Sequence, residues 1–265
     1  MIKVSDVLGT LLKTAPLELA MSFDNPGFLV GSGDDEVKKV IVALDITERV
    51  IDEAIATGAN LIVSHHPVIF GERKRVTDED VTGRLLIRMI RNGISAICMH
   101  TNLDCAKGGV NDILADLFGM EDRRPVDPCG ETGEGCGRYG ELAEEVSLSD
   151  FLPRICNVLS ARGVRFFDAK RPVKKLMVGG GSCGEYVLAA AEFGCDTLIT
   201  ADVKHNQFLD ADALSINVVD AGHFATENIV CPYIWDVVKN SFPSVSVHIA
   251  KSNTDITDYF KANER

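Results

Sequence analysis

Residues 38–64, KKVIVALDITERVIDEAIATGANLIVS, lie without a gap over residues 174–200, KKLMVGGGSCGEYVLAAAEFGCDTLIT. This repeat constrains the fold more than any other feature of the chain. Each copy opens with two lysines and a short β-rich run. Each continues into a helical pattern that ends at Gly58 or Gly194, then closes on an apolar run ending at Ser64 or Thr200. The glycine is the expected helix stop, because it enters the left-handed region at little steric cost. A second pair of segments, GISAICMHTNLD (93–104) and SINVVDAGHFATE (215–227), reads in both places as a strand running into a loop with a histidine. Strands alternating with helices of this length imply parallel sheets with right-handed crossovers. The expected fold is therefore α/β: two related α/β domains from an internal duplication, with layered α/β/α sheets. We expect a first half over 1–125 and a second over 126–265. The boundary falls in EDRRPVDPCGETGEGCG (121–137), which is rich in glycine, proline and charge and reads as a linker or surface loop. Beyond it, GRYGEL and VRFFD read as strands, SLSDFLPRICNVLSARG as a capped helix, and VSVHIA as a last strand.

Ligands of parallel sheets bind at the carboxyl ends of the strands. Four such ends carry polar chemistry: Ser64-His65-His66-Pro67, His100 through Asp104, Ala201-Asp202, and Asp220 through His223 to Glu227. Histidine is scarce, six in 265 residues, and two of the six are adjacent. Neighbours in a strand point to opposite faces, so the pair suits two ions, one histidine each, better than one. Pro67 holds His66 in extended backbone. His223 and Glu227 stand four apart at the start of a predicted helix, ATENIVCPYIWDVVKN, and so share one helical face. Alone, that pair or Asp104 is an ordinary helix or turn feature. Together, His65, His66, Asp104, His223 and Glu227 supply three imidazoles and two carboxylates, a set suited to zinc, iron or manganese rather than calcium or magnesium. Two divalent ions would keep net positive charge there, drawing hydroxide or an anionic group and lowering the pKa of water. Under the repeat, His65 falls on Ala201 and His66 on Asp202. One asymmetric site built from both halves is thus expected, rather than two equivalent ones.

The net charge of −12 leaves no basic surplus for phosphates, which argues against nucleic acid and anionic membrane surfaces. The one basic run, GERKRV (71–76), reads as a solvated loop or helix start. No apolar run approaches the ~18 residues of a membrane span. MIKVSDVLGTLLKTAP reads as the start of an amphipathic helix and not as a signal peptide, and none of the eight cysteines forms a C-x-x-C pair. A cytoplasmic protein with mostly buried thiols is the expectation.

FDNPGFLVG (23–31), SHHPVIF (64–70), HTNLDCAKGGVNDILAD (100–116), GRYGEL (137–142) and DAGHFATE (220–227) occur in order, and through them nearly the whole chain resembles the Nif-three-like proteins. That family is often labelled GTP cyclohydrolase 1 type-two homologue. The resemblance implies paired α/β domains with a dinuclear metal site between them and a homohexameric ring. It carries the metal-ligand role to His65, His66, Asp104, His223 and Glu227, with Glu227 or Asp104 bridging the ions. Some members carry an extra domain between the halves, and this chain looks like the compact form. It departs from the family at TADVKHN (200–206), where Ala201 replaces a glycine and His205-Asn206 replace Tyr-His, and in the tail SNTDIT (252–257), which lacks Pro-Phe. His100 lies outside the implied ligand set. It is the candidate catalytic residue, as a proton carrier, against a bracing role in its loop. Asp45 either supports a ligand or caps the following helix. GGGSCGEY (179–186) lacks a P-loop spacing and reads as a tight turn before a phosphate cradle. Two functions follow as expectations. One is a metal-dependent hydrolase acting on an unidentified small polar or nucleotide-like substrate. The other is a non-catalytic metal-holding or regulatory protein-interaction assembly.

Overall fold

The computed structural model describes residues 1–129 and 133–260. Its elements are, in chain order, α1 (Val4–Thr14), β1 (Gly27–Val30), β2 (Lys39–Ala43), α2 (Glu48–Thr57), β3 (Leu61–Ser64), α3 (Val81–Arg91), β4 (Ser95–Cys98), α4 (Thr101–Cys105), α5 (Val110–Phe118), β5 (Met120–Pro128), β6 (Gly135–Val146), α6 (Leu148–Leu159), β7 (Arg165–Phe167), β8 (Val173–Val178), α7 (Tyr186–Glu192), β9 (Thr197–Thr200), α8 (His205–Leu214), β10 (Asn217–Asp220), α9 (His223–Glu227), α10 (Val230–Ser241) and β11 (Ser246–Ile249). They form two units, Met1–Gly109 with Val230–Thr254, and Val110–Ile229 with Asp255–Arg265.

In the first unit the sheet order is β1-β4-β3-β2-β11. All neighbours are parallel except the edge pair β1 and β4. Every residue of β3 and β4 is buried, which is why they read as unbroken apolar runs rather than alternating ones. Ile41, Ala43, Ile62 and Ala96 share one face with Val50, Ile51 and Ala54 of α2 and Leu85, Leu86 and Met89 of α3. The alternate residues Val40 and Val42 turn to the other face, where α10 packs on β2 and β11, and α1 on α10. Helix α2 starts where Thr47 Oγ1 accepts from Val50 N and stops at Gly58, whose φ of +70° is the left-handed turn expected there.

The second unit has the order β5-β6-β8-β9-β10-β7, with a parallel centre, β8-β9-β10, and antiparallel flanks. Met177, Leu198 and Val218 pack with Tyr186, Val187 and Ala190 of α7 and Ala211 of α8. Helix α5 covers β6 and β8 and meets α6 through the rings of Phe118 and Phe151, 5.9 Å apart. The repeat reappears as a shared register. Val40 pairs with Leu61 in the first unit and Leu176 with Thr197 in the second, which are the same two positions of the aligned segments. A third parallel strand follows in each, β4 and β10, and each is followed by a one-turn helix, α4 or α9.

Three expectations change. The stretch expected as a linker holds β5, an edge strand paired with β6. Only Met120 and Val126 of β5 are buried, so its sequence carries almost no apolar signal, and its prolines and charges suit an edge. The part of that stretch at 130–132 lies outside the described residues. The boundary placed at 125 is replaced by crossings at 109/110, 229/230 and 254/255, the middle one because β11 returns to pair with β2. Finally, the helix expected to run on from residue 225 is broken between Glu227 and Val230. Pro232 offers no N–H to the carbonyl of Asn228 and its ring would crowd it, which favours a break there.

Candidate metal centre

In the first unit the candidate residues sit where β2, β3 and β4 end. His65 and His66 follow the last residue of β3, and their N–H groups donate to Ala43 O (3.2 Å) and Leu44 O (2.9 Å). Beyond the strand proper the two side chains no longer diverge, and their ring centroids are 5.1 Å apart. This corrects the opposite-face argument. His100, at the end of β4, joins them at 5.3 Å from His65 and 5.5 Å from His66. One ring nitrogen from each of the three lies within 4.8 Å of the others.

Each imidazole is held through Nδ1. His65, fully buried, meets Met99 O at 2.7 Å, His66 meets Asp45 Oδ1 at 2.8 Å, and His100 meets Asp24 Oδ1 at 2.7 Å. A carbonyl can only accept, so the His65 proton sits on Nδ1 and, in the neutral ring, the lone pair sits on Nε2. Ionised carboxylates impose the same tautomer on His66 and His100. From α4, Asp104 Oδ1 stands 3.5 Å from His65 Nε2. Burial pushes the Asp24 carboxyl up, but hydrogen bonds from His100, from Thr101 Oγ1 (2.5 Å) and from Asn25 N (2.7 Å) outweigh it and hold it well below the usual carboxylate range. Cys98 lies against His65, with Sγ donating to His65 O at 2.8 Å. Burial, reinforced by the negative charges of Asp24 and Asp104, pushes its thiol well up, so it remains protonated there.

In the second unit the corresponding strand ends carry a histidine and carboxylates. His223 Nε2 lies 2.9 Å from Glu227 Oε2, the contact expected from their spacing, and Nδ1 lies 2.6 Å from Asp202 Oδ2. Glu227 is buried against the glycine loop after β8. A Cβ at Gly181, whose φ is +65°, would come 2.1 Å from Glu227 Oε1 and 3.3 Å from His223 Cε1. Four of the loop's N–H groups are engaged within the unit: Gly179 to Ile199 O, Gly180 to Asn111 Oδ1, Gly181 to Thr226 Oγ1, and Cys183 to Gly181 O and Thr200 Oγ1. It is the tight turn expected, and what it cradles is a carboxylate side chain. His205 opens α8 and is exposed.

Sequence reading reached His65, His66, Asp104, His223, Glu227 and His100, and put Asp45 on the same edge. It missed Asp24, the Met99 carbonyl, Gly181 as a spacer and Asp202 as the partner of His223. Asp24 stood inside a quoted motif, and Asp202 stood opposite His66 in the repeat, but neither carried a sign of its contact.

The donor set fits a divalent ion. Histidines with Nδ1 tied to acceptors offer Nε2, and carboxylates stand within reach in each unit. No helix among the described residues is long and apolar enough to cross a membrane. Comparison with known proteins agrees with the fold. The protein named GTP cyclohydrolase 1 type 2 homolog from Clostridium perfringens is 33% identical over 248 residues, covering 91% of this chain and 93% of its own. Its namesake from Streptomyces coelicolor is 32% identical, covering 96% and 93%. Among solved structures, a hypothetical protein of Staphylococcus aureus superposes with a TM-score of 0.89 at 28% identity, covering 97% of this chain and 99% of that one. Reduced HcgD from Methanocaldococcus jannaschii superposes at 0.81, also at 28% identity, covering 94% and 98%. A family model for Duf34/NIF3 (NGG1p interacting factor 3) matches residues 2–256, and the chain belongs to that family.

Proposed function

We propose that His65, His66 and Asp104 in the first unit and His223 and Glu227 in the second are ligands of divalent ions, two per chain, zinc, iron or manganese, and that the protein is a cytoplasmic metal-dependent hydrolase of a small polar or nucleotide-like substrate. The observation that carries the reading is the uniform treatment of the imidazoles: every candidate histidine has Nδ1 fixed by an acceptor, which reserves Nε2 for a cation. When bound, the ions would supply Lewis acidity toward a substrate oxygen and lower the pKa of water. The chain's own part is positioning and proton handling. His100 Nδ1 donates to the ionised Asp24, so its Nε2 can take a proton from water and the resulting cation would rest against a carboxylate. Phe70 meets His100 edge-on, with centroids 6.2 Å apart, and Phe23 lies 6.4 Å from Phe70. Both rings are 62% exposed, which suits stacking with a planar ring and supports the nucleotide-like class that the relatives' name suggests.

The homohexamer implied by the resemblance is part of the same proposal. A non-catalytic, metal-holding or regulatory assembly is the second reading, favoured by the family's name, which describes an interacting factor. The test is metal content and turnover together. The purified protein should carry two ions per chain, and His65→Ala should lower that number. Loaded with manganese, iron or zinc and screened against nucleotides, phosphoesters and cyclic amides, it should turn over a substrate at a rate that His65→Ala reduces at least ~100-fold. Two ions with no turnover in that screen would favour the assembly reading.

A further inference from the structure

We infer that Asp202 is the positioning residue for His223, and that the second unit uses for support the strand end that the first unit uses for a ligand. The inference rests on the reading of His223 as a metal ligand. In the repeat, Asp202 occupies the position of His66. Each follows the middle strand of its unit by two residues, His66 after β3 and Asp202 after β9. His66 offers an imidazole from that place. Asp202 instead reaches the neighbouring strand's histidine, with Oδ2 2.6 Å from His223 Nδ1.

Two observations set this contact apart from a surface ion pair. The first is backbone conformation. Asp202 sits at φ +52°, in the left-handed region that an L residue enters at a cost. Ala201 before it and Val203 after it are buried and tied down, Ala201 N to Gly181 O at 2.9 Å and Val203 N to Asp220 Oδ2 at 3.1 Å. The main chain therefore holds the carboxylate where it is. The second is competition for one proton. His223 Nε2 already lies 2.9 Å from Glu227 Oε2. With the ring proton on Nε2, the histidine and the glutamate would satisfy each other and neither would be offered to a cation. An ionised carboxylate at Nδ1 draws the proton to the far side of the ring, so Nε2 and Glu227 are presented together. In the first unit Asp45 does the same for His66, across one strand in the same way.

Zn²⁺ affinity by chelator competition, on the full-length protein, tests the inference. Asp202→Asn keeps the size and tolerates the left-handed backbone, and Asp202→Gly removes the side chain while easing that backbone. Both should bind one of two Zn²⁺ ions about 10–100-fold more weakly. Their metal-free melting temperatures should be no lower than that of the unsubstituted protein. In the Co²⁺-substituted protein the visible absorption bands should shift in both variants, because the ring is no longer held at one angle. His223→Ala should lose that ion outright. Unchanged Zn²⁺ affinity in the Asp202 variants, with the ion lost in His223→Ala, would overturn the role of Asp202 and leave the metal reading standing. Retention of both ions by His223→Ala would overturn both.

Discussion

Gly181 and Gly58 have nearly the same backbone, φ +65° and +70°, and opposite surroundings. A Cβ at Gly58 would meet nothing within 4 Å, whereas one at Gly181 would meet Glu227 Oε1 at 2.1 Å. Gly58→Ala should therefore cost only the left-handed penalty, about 1–2 kcal/mol, read as a few degrees of melting temperature. Zn²⁺ affinity should not change. Gly181→Ala should carry the same backbone penalty and, in addition, displace Glu227 and weaken Zn²⁺ binding ~10-fold or more, as parallel melts and chelator titrations would show. At this scale the sequence was legible where chemistry is concentrated by type: two adjacent histidines, or a histidine and a glutamate four apart. It was silent where a common residue gains its role through closure of the chain. Asp24 reaches His100 across 76 residues, and Asp202 reaches His223 across 21. An aspartate in a loop looks the same with or without such a partner.

Between elements, the link from α2 to the segment after β11 depends on one ionised group. Glu53 accepts from Lys251 N at 3.0 Å, Ser252 N at 2.9 Å and Ser252 Oγ at 2.7 Å, and His248 lies 3.9 Å away. Burial pushes this carboxyl up, but those donors outweigh it and leave the group below its ordinary value. A carboxyl lowered in the folded state stabilises above its unfolded pKa, about 4.3, and that stabilisation is lost as pH falls through the lower folded value. The melting-temperature gap between the unsubstituted protein and Glu53→Gln should therefore be full at pH 6 and shrink steadily below about pH 4.5. A constant gap down to pH 3 would exclude the linkage. Elements with two buried faces or a capped amphipathic face, such as β3 and α2, were readable from apolar runs, Thr47 and Gly58. β5 was not, because an edge strand with two buried residues presents the composition of a loop. The break between α9 and α10 was legible in principle, since Pro232 was in view, but the apolar pattern across it was the stronger signal.

For the molecule as a whole, the two-fold repeat was legible and the path of the chain was not. Period and register are local, and they survive in residues 38–64 and 174–200. The pairing of β11 with β2 joins residues some two hundred positions apart and leaves no local mark. The division of the chain makes the first unit discontinuous, so a fragment of residues 1–125 would lack both the edge strand beside β2 and the α10 face of Val230, Ile234 and Val238. Such a fragment should show no cooperative thermal transition by circular dichroism, and it should be prone to association through the bare β2 edge. The same return of the chain bears on synthesis. The first unit is begun first and can be completed only when residues 246–249 have left the ribosome, on the order of ten seconds after residue 109 at ordinary elongation rates. For that interval the growing polypeptide carries an unfinished sheet, while all of the second unit up to Ile229 is made in one uninterrupted run. The whole sheet of the second unit, β5 to β10, is therefore made before the sheet of the first can close, and only its last segment, from Asp255, follows β11.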